Sequence, residues 1–256
     1  MNYQLARPHP LLGNVRLYEN IGKTWYHSMQ LRLDRRFARG FGGGLAYAFA
    51  RNIDENGASL TDFPTPFAPA GYDHGRSQLE RRHVLSANSI WELPFGRGRA
   101  YANQLHPVLN ATLGGWQLSG LYRFVSGTPL SFTVPGATLG NTFNTRPNLV
   151  GDPRAGNPTA ARWFNKDAFA APQQFTFGNS GMGLIDGPGN HNLDTALLKN
   201  FNFRENRYVQ FRWELFNMPN HVNLGDPVTT IGLATTGQIS GAGDARQMQF
   251  GLKIVF

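Results

Sequence analysis

Of the seven histidines in this chain, His83, His106, His191 and His221 are the first candidates for metal binding. None has another histidine three or four residues away, the spacing that sets two imidazoles on one helical face around zinc. Histidines in loops or at the ends of elements are the plainer reading. Asp54-Glu55-Asn56-Gly57 and Asp152-Pro153 carry carboxylates that suit Ca²⁺. They lack the alternating Asp/Asn ligands of a helix–loop–helix calcium site, and they read as turns. There is no Gly-x-Ser-x-Gly elbow, no phosphate-cradling P-loop and no dinucleotide fingerprint. Gly42-Gly43-Gly44 opens a strand pattern, so it presents no helix N-terminal amides to a phosphate. With no Cys in the chain, disulfides, thiolate metal sites and Cys nucleophiles are excluded. The residues therefore assemble no hydrolase site, and no enzyme activity, catalytic residue, cofactor or metal ligand is expected.

The elements that would position any site follow from composition and period. The 256 residues carry 24 Lys+Arg and 16 Asp+Glu, a net charge of +8, with 30 Gly, 16 Pro and 19 Phe. Charged residues make up 16%, below the roughly 25% usual in soluble domains. No run approaches the ~18 apolar residues of a membrane-spanning helix. Met1-Asn2-Tyr3-Gln4-Leu5 does not begin a signal peptide, which needs a basic stretch and then an apolar one.

Alternation with period 2 is plentiful and helical spacing is scarce. In 246–256, Met248, Phe250, Leu252, Ile254 and Phe256 share one face, with Gln247, Gln249, Gly251 and Lys253 opposite. The same pattern marks 28–37, 42–52, 82–93, 115–125, 192–202 and 207–217, which makes seven strand candidates. Leu197-Leu198 breaks the pattern within 192–202, and a bulge is expected there. In 82–93, Val84 and Ile90 fall on the polar side.

Ala38-Arg39-Gly40-Phe41 and Phe203-Arg204-Glu205-Asn206 are short enough for hairpin turns. The connections over 53–81, 134–190 and 219–244 are long and rich in Gly, Pro, Asn and Thr, as in Pro64-Thr65-Pro66, Gly140-Asn141-Thr142 and Gly187-Pro188-Gly189-Asn190. That over 95–114 is intermediate. Long connections thus fall on one rim and shorter ones on the other.

Long loops argue against a compact soluble domain. They fit a transmembrane β-barrel of ~10-residue alternating strands with short turns on one side and long loops outside. The fold class expected is all-β: an antiparallel transmembrane barrel segment of about seven long strands, an incomplete barrel over 1–256. Gln30, Arg32, Gln117, Arg123, Gln210, Arg212, Glu214 and Gln249 would line its wet lumen. Trp25, Tyr26, Trp91, Trp116, Phe201, Tyr208, Phe216 and Phe256 lie near strand ends, where interfacial aromatic girdles form. A soluble β-sandwich also alternates and stays open on period alone.

In order and spacing, several segments resemble the C-terminal part of a TonB-dependent outer-membrane transporter of the Oar-like kind, which carries a carboxypeptidase-regulatory-like domain. They begin with Arg82-His83, Glu92-Leu93-Pro94-Phe95-Gly96, Gly114-Gly115-Trp116-Gln117 and Ser126-Gly127-Thr128-Pro129. They continue with Arg146-Pro147-Asn148, Trp163-Phe164-Asn165, Phe177-Gly178-Asn179, Gly187-Pro188-Gly189, Asn192-Leu193-Asp194 and Lys199-Asn200-Phe201. Arg212-Trp213-Glu214-Leu215-Phe216-Asn217, Asn220-His221-Val222-Asn223 and Arg246-Gln247-Met248-Gln249-Phe250-Gly251-Leu252 complete the set. The resemblance implies a location in the outer membrane of a Gram-negative cell, uptake of an extracellular ligand and no bond chemistry. It implies a plugged barrel of about 22 strands, of which this chain would be roughly the last third. The plug, the energy-coupling segment and the signal peptide would then lie outside it, and contact with a TonB-type energy-coupling complex would run through those missing parts.

The last strand is similar to the signal read by the barrel-assembly machinery, carried here by Phe250, Leu252, Ile254 and Phe256. Its free edge would pair with that machinery before closure. Arg35-Arg36, Arg81-Arg82 and Arg97-Gly98-Arg99 are small, dispersed basic spots without a nucleic-acid motif. Outer-membrane lipid and lipopolysaccharide are the expected partners of such rims. The ligand is not legible. A structural or adhesive barrel, and a soluble β-rich module for nucleic acid or glycan, are the alternatives.

Overall fold

A computed structural model describes residues 22–55, 65, 68–135, 145–204 and 207–256. Seven long strands run Thr24–Ala38 (β1), Phe41–Asp54 (β2), His83–Glu92 (β3), Trp116–Val125 (β4), Asn190–Arg204 (β5), Arg207–Phe216 (β6) and Gln247–Val255 (β7). Each pairs antiparallel with its sequence neighbours, in the order β1-β2-β3-β4-β5-β6-β7, and Gly75–Arg76 adds a short pairing to β2. Among the described residues β1 pairs only with β2 and β7 only with β6, so the meander is an open, incomplete barrel wall. The remaining sheets are two-stranded. Among the described residues no second large sheet lies against the first, as a sandwich would require.

Register converts the period into two faces. Phe41, Trp91, Leu118, Leu197, Trp213 and Phe250 form one continuous row across six strands. On the opposite face Arg32, Ala46, Ser86, Arg123 and Asn192 form another. Because the side-chain period is 2, one slip would exchange the faces of a whole strand. The expected bulge at Leu197-Leu198 is not there. Leu197 pairs with Leu118 and Trp213 while Leu198 pairs with Gln117 and Arg212, with no break between them. Leu198 is an apolar residue on the polar face, and the β5–β6 register shifts only between Asn202 and Arg204.

Arg39 and Gly40 close the β1–β2 hairpin with φ of 52° and 78°. Two left-handed residues in a row match the twist of the strands they join, and a glycine takes the second position without steric cost. The Glu205-Asn206 end of the other expected hairpin lies outside the described residues, as do Pro64, Pro66, Gly140-Asn141-Thr142 and Asn56-Gly57. All three long connections leave from the rim opposite the Arg39-Gly40 turn. The β3–β4 connection, on the turn rim, contains an element that alternation does not announce: the helix α1, Pro107–Leu113.

The buried core lies in the long loops, outside the wall. Leu130, Phe132, Val134, Phe164, Ala168, Phe169 and Ile231 form one cluster, with Phe132 and Phe164 fully buried. Phe132 stacks edge-on against Phe164 at 4.9 Å and tilts onto Phe169 at 4.3 Å. Short ladders tie the cluster down: Pro129–Leu130 with Ile185–Asp186, and Asn148–Leu149 with Phe169–Ala170. A buried phenyl truncated to methyl costs about 3–5 kcal/mol. Phe132→Ala should therefore loosen the loop layer and leave the wall intact. Limited proteolysis is expected to cut within 126–189 at rates raised at least tenfold, while the heat-shifted electrophoretic mobility of the folded barrel persists.

Candidate functional site

Three surfaces converge on this architecture: an apolar face, a polar face and a loop cap. Along its two outer strands the apolar face has no cover among the described residues. Met29, Leu31, Leu33, Met248, Phe250, Leu252 and Ile254 are all more than 45% exposed. Exposed apolar area of this extent calls for a non-aqueous surrounding or a partner surface. Toward the cap rim this face becomes aromatic and polar-tipped. Tyr47 and His83 share a hydrogen bond of 2.8 Å, and His191 meets His221 edge-on at 4.9 Å. His106 caps α1. His83 and His106 thus stand apart, His191 and His221 stack as a pair, and no group of three potential metal ligands converges among the described residues.

The polar face carries Gln30, Arg32, Gln117, Arg123, Gln210, Arg212, Glu214 and Gln249 together, as their alternation predicts. They bond along and across strands: Arg32 to Asp34 at 2.6 Å, Arg212 to Glu214 at 2.5 Å, and Gln249 to Glu214. Asp194 and Glu214 border a shallow recess with Asn88, Ser119 and Phe216. The aromatic expectation needs a correction here. Tyr26 pairs with Asn52, Tyr208 with Asn202, and Phe216 neighbours Gln247, which places all three on the polar face. Position near a strand end does not fix the face; parity does. Trp25, Trp91, Trp116 and Phe201 do lie on the apolar face.

The cap closes the long-loop rim through buried charges. The Glu80 side chain is fully buried. Its Oε1 meets Arg76 at 2.6 Å and Arg82 at 3.5 Å, and its Oε2 accepts from the Asn52 amide at 2.9 Å. Arg76 reaches across to Asp186 at 2.6 Å, which joins the first long connection to the second. Burial by itself would lower the Arg76 pKa, but the bonds to Asp186 and Glu80 outweigh it and hold the guanidinium above its ordinary value. Arg146 repeats the device. It donates to the Tyr72 carbonyl, lies 3.5 Å from the centre of the Tyr72 ring and meets Asp73 at 3.5 Å. The third long connection is fastened by Thr128, whose hydroxyl donates to Asp226 at 2.8 Å. Gly127 sits where the chain crosses Gly187, and a Cβ there would run into the Gly187 carbonyl.

The predicted assembly residues are on the last strand as expected. Phe250, Leu252 and Ile254 pair with Trp213, Phe211 and Val209, are 69%, 74% and 67% exposed, and share the apolar face. Phe256 follows the strand at 96% exposure. The cap was missed in sequence, although Leu130-Ser131-Phe132-Thr133-Val134 alternates like a strand. The Arg76–Asp186 and Arg146–Asp73 pairs were not legible, because each joins loops distant in sequence.

Removing one partner of a buried ion pair strands the other charge, at about 3–5 kcal/mol. Arg76→Gln should expose the 68–82 segment to protease, and pairing it with Glu80→Gln should restore part of the protection. A cleavage time course on the single and double variants reads this directly.

A family profile described as "Outer membrane beta barrel domain" matches residues 1–249. No curated protein and no solved structure matches the chain.

Proposed function

Since the chain belongs to the outer membrane beta barrel domain family and is a protein of the outer membrane, we propose that it is a wall-and-cap portion of an energised uptake barrel, of the TonB-dependent kind its motifs resemble. In this reading the apolar face meets lipid and, at the outer rim, lipopolysaccharide. The polar face lines the lumen. The packed cap faces outward and receives an extracellular ligand, and a TonB-type complex drives the release of that ligand through parts outside this chain. The protein makes and breaks no bonds. The observation that carries the reading is the combination of an open polar wall with long loops that hold their own core. A passive pore needs no such layer, whereas a ligand-receiving mouth needs fixed side chains to bind with.

A purely adhesive barrel would also favour a rigid cap, and the test separates the two. Cells carrying the intact gene should deplete at least one solute from spent medium that a deletion strain leaves behind. A protonophore should abolish that depletion. Identical media profiles, or depletion indifferent to the protonophore, would count against energised uptake.

The terminal strand supplies a second test. We assign Phe250, Leu252, Ile254 and Phe256 as the segment recognised by the barrel-assembly machinery, because β7 offers both an edge unpaired among the described residues and an exposed apolar face. Phe256→Asp is expected to lower the amount of folded barrel in the outer membrane at least fivefold at unchanged synthesis, measured by heat-modified mobility. Leu233→Asp, an exposed apolar position in the cap, should leave the yield near normal.

A further inference from the structure

The β3–β4 connection turns a helix inside out. In α1 the polar side chain is the one facing protein: Asn110 Oδ1 accepts from the Arg97 amide at 2.7 Å. Gly96 lies so close to Asn110 and Gly114 that a Cβ would not fit. With Asn110 held inward, Val108, Leu109 and Leu113 point away from the protein, at 66%, 50% and 57% exposure. Phe95 and Tyr101 of the same connection pack on each other at 5.8 Å and are 47% and 61% exposed. A helix in water shows the reverse arrangement.

The end of α1 is fixed to the apolar face. Lys199 is only 3% exposed, although it shares that face with Trp116 and Phe211. Its Nζ donates to the Thr112 carbonyl at 3.2 Å and to the Gly114 carbonyl, and it lies 5.1 Å from the Trp116 ring centre and 5.2 Å from that of Phe201. Trp116 Nε1 donates to the same Thr112 carbonyl at 2.9 Å. An ammonium is thus solvated by carbonyls at the helix end, where the backbone dipole favours a cation, and aromatic faces complete its surroundings. These bonds set the end of α1 against the apolar face, beside Trp116 and Leu118, on the rim of the short turns.

We propose that α1 is an interfacial foot, lying in the boundary between headgroups and acyl chains of the periplasmic leaflet, with Val108, Leu109 and Leu113 in lipid. The proposal rests on the reading that the apolar face meets lipid. Its occupant is phospholipid because the exposed side of α1 continues that face, which the bilayer already covers. The exposed Arg97 supplies a cation for the headgroups, Tyr101 and Trp116 are amphipathic rings that settle at this depth, and Phe95 adds apolar area beside them.

The chain has no Cys, so single substitutions can carry a fluorescent probe. Val108→Cys, Leu109→Cys and Leu113→Cys are labelled one at a time in the full chain, assembled in vesicles of phosphatidylethanolamine and phosphatidylglycerol. Gln104→Cys, exposed in the same connection, serves as the water reference, and Leu118→Cys on β4 as the lipid reference. Having three foot positions means that failure of one variant to assemble leaves the test standing. Quenching by nitroxide-labelled lipid at the foot positions is expected to fall within twofold of that at 118. Quenching by aqueous iodide should be at least threefold weaker than at 104. Foot probes that behave like 104, or that neither quencher reaches, overturn the foot while 118 still reports lipid. Iodide quenching at 118 as well would instead overturn the membrane reading on which the foot depends.

Discussion

The constraint on which the rest depends is that a wall in hydrocarbon has no water to satisfy its backbone. Every N–H and C=O must find a partner in the wall, at several kcal/mol for each failure. An antiparallel meander with neighbouring strands in sequence order meets that demand with the least connection. It also makes register rigid, since each strand carries opposite chemistry on its two sides. The unbroken row from Phe41 to Phe250 is a consequence: six strands agree on parity because a single slip would put arginines in lipid and phenyl rings in the lumen.

That same constraint moves the core. A single sheet with lipid on one side and a wet lumen on the other has no interior in which to bury side chains. The buried cluster around Phe132 and Phe164 accordingly sits in the loops, where aqueous surroundings make apolar burial favourable. Ion pairs follow the same geography. Exposed pairs such as Arg32–Asp34 line the polar face, whereas Arg76–Glu80 and Arg146–Asp73 are buried in the cap, and Arg76 also reaches the half-exposed Asp186 of another long loop. Fixed charge partners give a loop layer specificity of arrangement that glycine-rich and proline-rich composition alone would not supply.

How much of this was legible follows from how local each signal is. Alternation is a property of adjacent residues, so all seven strands, both faces and the long-loop rim could be read from the chain. Leu197-Leu198 misled because an apolar residue on a lumen wall looks, in sequence, like a register error; pairing with Gln117 and Arg212 shows that it is not. The alternation in Leu130-Ser131-Phe132-Thr133-Val134 was present but outweighed by the surrounding Gly and Pro. It forms only fragments of strand, completed by Ile185 and Thr145 from elsewhere. Helix α1 is too short for a period to show, although Pro107 at its first turn and the Leu109/Leu113 spacing are both helix signals.

Lys199 shows how the two regimes meet. A lysine on the apolar face of a membrane wall is expensive unless its charge reaches water or a partner. Here a short helix end from the β3–β4 connection brings carbonyls to it and two aromatic rings shield it. The lysine and the helix therefore explain each other: without α1 the ammonium would lie bare among Trp116, Phe201 and Phe211, and without Lys199 the Thr112 carbonyl would keep only the Trp116 indole as its side-chain donor. The edges of the sheet obey the same logic at larger scale. β1 and β7 each leave one row of backbone groups unpaired among the described residues. Since hydrocarbon does not tolerate such a row, the wall in the membrane must be completed by strands from outside those residues. Its curvature and lumen width are then set by how many of them there are.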